Sequence, residues 1–127
     1  MNRLPMSVEI GTLGELLVQL RLLEYGVQAA APLKDSGKEL VALNGRIVRT
    51  IQVKTVSQGD RFSLMNLPKL YDLVALVQLR RNNERLELDQ CRIYLVPEGR
   101  CTGNRNLNAR DLDDFVMTPE LVKRLFS

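Results

Sequence analysis

Histidine is absent from this 127-residue sequence, and its absence excludes more chemistry than any other feature of the composition. Without an imidazole there can be no Ser-His-Asp or Cys-His catalysis and no histidine-dependent zinc hydrolase. Histidine-based, metal-independent ribonucleases are excluded for the same reason. If the protein is an enzyme, its reaction must use carboxylates, Lys, Arg, Tyr, Ser or a metal bound through oxygen.

Aromatic residues, cysteines and long apolar runs are also scarce. Aromatics make up 5% of the chain with no Trp, so the core must consist of Leu, Val, Ile and Ala. The two cysteines, Cys91 and Cys101, cannot form a disulfide framework, and their spacing matches no zinc motif. No apolar run approaches the ~20 residues of a membrane span, and residues 1–6 lack the apolar segment of a signal peptide. We therefore expect a cytoplasmic protein with reduced thiols and no membrane contact.

The composition that is present fits one globular unit. Hydrophobic residues make up 45% of the sequence, which is enough for a packed interior, and we expect a single domain over residues 1–127. The net charge of +3 is compatible with nucleic-acid binding but does not require it. Arginines concentrate in turn and loop segments of the second half, where guanidinium groups suit phosphate contacts, although ordinary surface charge is the alternative for each. The candidate nucleic-acid-binding residues are Arg80, Arg81, Arg100, Arg105 and Arg110.

Hydrophobic spacing predicts the elements. Leucines at helical spacing predict a first helix over residues 8–25, and Thr118-Pro119-Glu120 predicts the start of a last one. Asn44-Gly45 between two β-prone runs predicts a hairpin with a two-residue turn. Further strands are expected over 27–31, 73–79 and 92–96, although 73–79 also fits a helix, and 98–110 is predicted to be a loop. This order predicts an α/β fold with a mixed central sheet flanked by helices.

The predicted hairpin brings three polar side chains to one face. With the turn at 44 and 45, Glu39 pairs with Thr50, and alternation along the strands puts Glu39, Gln52 and Lys54 on the same side. Gln52 is then diagonal to Glu39, while Ile51 and Val53 lie on the other face. An ordinary polar surface of a half-buried strand is the alternative explanation for this pattern.

These segments resemble the PD-(D/E)xK nuclease superfamily. Glu39-Leu-Val-Ala-Leu, then Asn-Gly, then Ile51-Gln-Val-Lys-Thr55 is similar to the superfamily core, in the branch with Gln-x-Lys that includes an intron-encoded homing endonuclease. Gly11-Thr-Leu-Gly14-Glu15 is similar to the opening of the family's first helix. Tyr71-Asp-Leu-Val-Ala-Leu-Val77 resembles the strand after the motif. The resemblance spans residues 8–79, and it implies a restriction-endonuclease-like fold.

The resemblance also implies a site, a cofactor and a partner. Glu39, Gln52 and the backbone carbonyl of Val53 are implied as ligands of Mg²⁺, for which Mn²⁺ can substitute. Glu15 is expected to compensate for the charge missing at Gln52 by binding the metal or a metal-bound water. Lys54 is expected to position the attacking water. The implied function is a metal-dependent DNA endonuclease, which for so small a domain we expect to be a homo-oligomer, a dimer or tetramer.

One position departs from the family pattern. The metal-binding acid before the hairpin is normally Asp, and the matching position is Glu39. Asp35 is an alternative acid, but the 13-residue offset from Glu39 to Gln52 matches the branch, and Asp35 lies with Pro32 and Gly37 in a segment predicted to be a loop. The substitution keeps open a second interpretation, a weak or inactive nuclease-fold module that binds nucleic acid or a protein partner. A third is a structural or immunity-type domain in which Gln52, Lys54 and Glu15 satisfy one another.

Overall fold

A five-stranded mixed sheet forms the centre of the protein in the computed structural model, which describes residues 6–32, 39–68, 70–83 and 85–127, with side chains from residue 8 onward. Asp35 lies outside these residues. The helices and strands, in chain order, are α1 (Met6–Glu24), β1 (Gln28–Ala30), β2 (Glu39–Asn44), β3 (Ile47–Ser57), β4 (Arg61–Ser63), β5 (Leu73–Leu79), β6 (Arg81–Asn82), β7 (Arg85–Leu86), β8 (Arg92–Pro97), α2 (Glu98–Cys101), β9 (Asn106–Asn108) and α3 (Pro119–Leu125). The predicted α/β class and all the predicted helices and strands are confirmed.

The strands of the central sheet lie in the order β1-β2-β3-β5-β8. β3 and β5 are parallel, and the other neighbouring pairs are antiparallel. Every residue of β5 is buried, which is why Leu73–Leu79 is an uninterrupted apolar run rather than an alternating one. The sheet therefore has two covered faces, with β5 in the middle of the core.

α1 and α3 cover one face of the sheet, which we call the helix face. The side chains of Leu40, Ile51 and Val53 on this face pack with Leu17 and Leu22 of α1 and with the apolar residues of α3. α3 begins as predicted, because the Thr118 hydroxyl accepts a hydrogen bond of 3.1 Å from the Leu121 N–H and Pro119 occupies the first turn. α1 ends at Glu24, and Gly26 follows with a φ of +84°.

The opposite face of the sheet is covered by a two-stranded antiparallel ribbon of β4 and β9, so we call it the ribbon face. Phe62 of β4 is fully buried there against Tyr94 and Val74 of the sheet, together with Leu112. The segment 98–110 is thus not the continuous loop that its Gly and Asn content predicted. It contains α2 and β9, and its residues Cys101, Leu107 and Ala109 pack in the apolar cluster between the ribbon and the sheet.

The hairpin is present, but its turn lies one residue later than predicted. Asn44 is the last residue of β2 and pairs with Ile47, so the turn residues are Gly45 and Arg46. Gly45 has a φ of +61°, and a glycine with positive φ at the first turn position is the pattern of a type II′ turn. The amide of Asn44 instead donates a hydrogen bond of 3.4 Å to the carbonyl oxygen of Phe126. The predicted type I′ turn at 44 and 45 is therefore wrong.

None of the helices in the described parts of the chain combines the length and apolar character needed to cross a bilayer.

Candidate active site

The pairing of β2 with β3 determines the geometry of the candidate site. In the observed register Glu39 lies directly opposite Gln52, not diagonal to it, and Lys54 lies two residues further along β3 on the same side. Directly opposite residues have Cβ atoms about 4.5–5.5 Å apart, close enough for both side chains to reach one small ion. All three side chains are half-buried and lie on the ribbon face, while Ile51 and Val53 are buried on the helix face.

These residues line one pocket of about 360 Å³. One wall consists of Glu39, Gln52, Val53 and Lys54 from the hairpin. The Val53 side chain is buried on the other face of the sheet, so this residue reaches the pocket through its backbone. The opposite wall, which the sequence did not predict, is formed by Asn66, Pro68 and Leu70 in the connection between β4 and β5.

Lys54 is held by this connection. Its ammonium donates a hydrogen bond of 3.1 Å to the backbone carbonyl of Met65. The connection is itself tied to the segment before β9, because the Leu64 N–H donates a 2.8 Å hydrogen bond to the carbonyl of Arg105. The lysine nitrogen is thus positioned at the pocket by two segments that are distant in sequence.

The pocket offers oxygen donors and no thiolate or imidazole. Within the described residues there is no cluster of three or more His, Cys, Asp and Glu side chains. The hairpin contributes the Glu39 carboxylate, the Gln52 amide oxygen and the Val53 backbone carbonyl to the pocket, and Asn66 adds an amide on the opposite wall. Such a set of hard oxygen donors with a single negative charge fits Mg²⁺ or Mn²⁺ better than zinc, which favours nitrogen and sulfur.

Glu15 belongs to α1, which packs on the helix face, whereas Glu39, Gln52 and Lys54 lie on the ribbon face. It is half-buried on α1, directly after Gly14, whose backbone contacts the Thr55 side chain on the helix face. Thr55 follows Lys54 in β3. Glu15 is not among the described residues that line the pocket, so its role at a metal stays a prediction.

The candidate nucleic-acid-binding arginines divide into two groups. Arg80, Arg81 and Arg110 line a larger cleft of about 640 Å³ on the ribbon face, where β5 ends and β8 begins. Arg100 and Arg105 are exposed elsewhere, and the Arg100 guanidinium lies 5.5 Å from the ring centroid of Phe115. Three of the five arginines predicted from the sequence therefore lie around one cleft.

All three arginines in this cleft also contact a carboxylate of the protein. Arg80 donates to the carbonyl of Leu79 at 3.1 Å and to the Asp60 carboxylate at 3.3 Å. Arg81 is mostly buried, and its guanidinium lies 3.6 Å from the Glu9 carboxylate of α1. Arg110 is the most exposed of the three, with 82% of its side chain accessible, and its guanidinium lies 4.0 Å from the Asp111 carboxylate.

A buried polar network forms the floor of this cleft. Gln78 is 3% exposed, and its amide donates to the carbonyl of Gly59 and to the Asp60 carboxylate, both at 2.9 Å. The Tyr94 hydroxyl donates to the Gln78 amide oxygen at 3.2 Å. Gln78 is therefore fully hydrogen-bonded, as a buried amide must be, and it anchors the turn before β4. This role could not be predicted from the sequence, because Gln78 lies within an apolar run.

Comparison with known proteins gives one informative likeness. No known family and no curated protein matches the sequence. Among solved structures, the chain is similar to the bacterial homing endonuclease I-Ssp6803I, with a TM-score of 0.59 and 17% identity over 82% of this chain and 75% of that one. At this identity the likeness defines the fold: the chain has the architecture of that endonuclease.

Proposed function

We propose that the protein is a metal-dependent DNA endonuclease of the PD-(D/E)xK superfamily, in the branch with Gln-x-Lys. The observation that carries this proposal is the placement of Glu39 opposite Gln52 with Lys54 in the same pocket. The likeness in fold to a homing endonuclease supports the proposal. The helix and hairpin whose sequences resemble the nuclease family occur here within a similar architecture.

The residues of the pocket match what phosphodiester hydrolysis requires. An enzyme must remove on the order of 20 kcal/mol from the barrier of this reaction, more than one amide and one ammonium supply by hydrogen bonding. A bound Mg²⁺ would supply charge stabilisation at the scissile phosphate and a more acidic water. Glu39, Gln52 and the carbonyl of Val53 would hold it.

Lys54 would act on the reacting phosphate and water. Its ammonium donates a hydrogen bond to the carbonyl of Met65. From this position it would orient the attacking water and stabilise the negative charge that develops on the phosphoryl oxygens. This role requires a cation at this position, so a neutral side chain of similar length does not replace it.

Glu15 would supply charge rather than substrate contact. An amide at position 52 leaves the site with one negative charge fewer than a pair of carboxylates, and Glu15 on α1 is the acid adjacent to the Gly14–Thr55 contact. We propose that it stabilises the bound cation or one of its waters. Its loss is therefore expected to raise the metal concentration needed for cleavage more than it lowers the maximal rate.

Cleavage of supercoiled plasmid tests the proposal. The wild-type protein is expected to nick and linearise the plasmid in Mg²⁺ or Mn²⁺ but not in EDTA. Lys54→Ala and Glu39→Ala are expected to lower the cleavage rate at least about 100-fold, the scale of a lost catalytic interaction, with an unchanged circular dichroism spectrum. The control is Lys123→Ala, an exposed lysine of α3.

Two results would contradict the proposal. Undiminished cutting by both site variants would show that the activity resides elsewhere. No cutting by the wild-type protein in either metal would favour the non-catalytic module.

A further inference from the structure

The β4–β9 ribbon has one apolar and one polar face. Phe62 and Leu107, which pair with each other, point into the core of the ribbon face. The neighbouring pairs, Arg61 with Asn108 and Ser63 with Asn106, alternate to the outside. Arg61, Ser63 and Asn106 are exposed, and the six strand residues include no acid. The outer surface of the ribbon therefore consists of a guanidinium, a hydroxyl and amides.

One end of the ribbon leads to the candidate active site. After β4, the carbonyl of Met65 accepts the hydrogen bond from Lys54, and the N–H of Met65 donates to the Ser63 hydroxyl at 3.3 Å. Arg105, just before β9, is exposed beside the same connection. A nucleic acid whose phosphate occupied the pocket would thus lie next to the outer face of the ribbon.

The other end of the ribbon leads to the arginine-lined cleft. Asp60 precedes β4, and Arg110 follows β9; both line that cleft. The Asp60 carboxylate accepts hydrogen bonds from Gln78 at 2.9 Å and from Arg80 at 3.3 Å, so its charge is compensated within the protein. The exposed Arg105 therefore lies at one end of the ribbon and the exposed Arg110 at the other, where the cleft also contains the acids Glu87 and Asp113.

We propose that the outer face of the β4–β9 ribbon enters the major groove of duplex DNA and reads base edges beside the cleavage site. The inference rests on the proposed function, since it names how the same site selects its substrate. A two-stranded ribbon, with strands about 4.8 Å apart, fits a major groove about 12 Å wide. Strands of three residues span about 10 Å, the length of about three base pairs. The deep, narrow major groove of double-stranded RNA would not admit it.

The side chains have the chemistry for base recognition. Asn106 presents a donor and an acceptor together, the pattern that pairs with N6 and N7 of adenine, and Arg61 presents the donors that pair with O6 and N7 of guanine. Asn108 has a different role, because its side-chain oxygen accepts a hydrogen bond of 3.1 Å from the Arg110 N–H and orders the turn after β9. Asn106 and Arg61 are therefore the base-contacting residues, and Asn108 is a positioning residue.

Selection from a pool of randomised DNA duplexes tests the ribbon separately from catalysis. Binding is measured in EDTA, where no strand is cut, so the outcome does not depend on nuclease activity. The wild-type protein is expected to enrich a short motif. Arg61→Ala and Asn106→Ala are each expected to lose the preference at one base pair and to bind the enriched duplex about five- to 150-fold more weakly.

The matched control is Arg124→Ala, which removes an exposed arginine from α3 on the opposite side of the sheet and is expected to change neither motif nor affinity. All variants are exposed-residue changes, and thermal melting checks that they fold. An equal loss in Arg124→Ala, unchanged binding in both ribbon variants, no enrichment by the wild-type protein, or tighter binding to RNA of the same sequence would each overturn the ribbon proposal. The plasmid assay can fail while this selection succeeds, or the reverse, so the two proposals are distinguishable.

Discussion

Gly14 is the residue through which α1 approaches the sheet most closely. A Cβ atom built at this position would overlap the Thr55 hydroxyl and lie within 3.0 Å of the two other side-chain carbons of Thr55. Thr55 pairs with Val77 of the buried strand β5, so it has little freedom to move away. The glycine therefore sets the distance between α1, which carries Glu15, and β3, which carries Gln52 and Lys54.

We predict that Gly14→Ala lowers the free energy of unfolding by about 1–3 kcal/mol, the usual cost of overpacking, even though alanine is the better helix former. Urea denaturation measures this change. Gly99→Ala in α2 is the control, because nothing lies within 4 Å of a Cβ atom there. Equal stability of Gly14→Ala and the wild-type protein would mean that α1 does not pack this closely.

Cys101 gives a prediction about pH. Burial raises the pKa of this thiol above its usual value of 9.0, and the nearby Glu98 raises it further, while a hydrogen bond with Tyr71 opposes the shift. Below pH 9 the thiol is neutral in both folded and unfolded chains. Above that pH the thiol ionises first in the unfolded chain, and this ionisation favours unfolding. The free energy of unfolding therefore falls as the pH rises towards the pKa of the folded protein. We expect stability to fall above pH 9, and less steeply in Cys101→Ala than in the wild type; parallel pH profiles would contradict this.

The hairpin register explains why the incorrectly predicted turn still placed Glu39, Gln52 and Lys54 on one face of the sheet. Moving the turn by one residue shifts the partner of each β2 residue by two positions along β3. Because side chains alternate with a period of two, a shift of two positions leaves every residue on its predicted face. The partner of Glu39 changes from Thr50 to Gln52, which brings the two oxygen donors closer together.

Substitutions in the turn test this register. Gly45→Ala is expected to lower the free energy of unfolding by about 1–2 kcal/mol, since a side chain is disfavoured at a φ of +61°. Gly45→Asn is expected to cost less, because Asn tolerates this conformation. Chemical denaturation of both variants is the measurement. A Gly45→Ala variant as stable as the wild type, or an Asn variant less stable than the Ala variant, would contradict the observed turn.

Local pattern predicted elements better than it predicted long-range pairing. The helices, the buried β5 run and the parity of the hairpin follow from periodicity within one segment. The pairing of β4 with β9, and the wall formed by Asn66, Pro68 and Leu70, join segments that are distant in sequence and carry no shared periodicity. The sequence therefore predicted the hairpin half of the site and missed the half that holds Lys54.

One side of α1 carries an apolar stripe that is exposed on the surface of the protein. Leu16, Leu20 and Leu23 lie on its outer side with exposures of 55%, 45% and 61%, whereas their helical spacing alone had suggested burial. A stripe spaced i, i+4 and i+7 can pack against its own copy about a two-fold axis. We propose that it is the contact of the expected homo-oligomer.

Light scattering after size-exclusion chromatography tests this contact. The wild-type protein is expected to be a dimer or tetramer, and Leu20→Glu is expected to be a smaller species. Leu88→Glu is the control, because Leu88 is 46% exposed, nearly the same as Leu20, but lies outside the stripe. A monomeric wild-type protein, or equal masses for the Leu20→Glu variant and the wild-type protein, would contradict the proposed contact.

In the proposed function, the Glu39 carboxylate and the Gln52 amide oxygen, opposite each other on β2 and β3, would hold one divalent cation. Isothermal titration of Mn²⁺ into the protein tests it most directly. We predict one ion bound per chain, with binding lost in Glu39→Gln and retained in Glu120→Gln, which neutralises an exposed acid of α3. Absence of Mn²⁺ binding by the wild-type protein, or undiminished binding by Glu39→Gln, would contradict the proposed metal site.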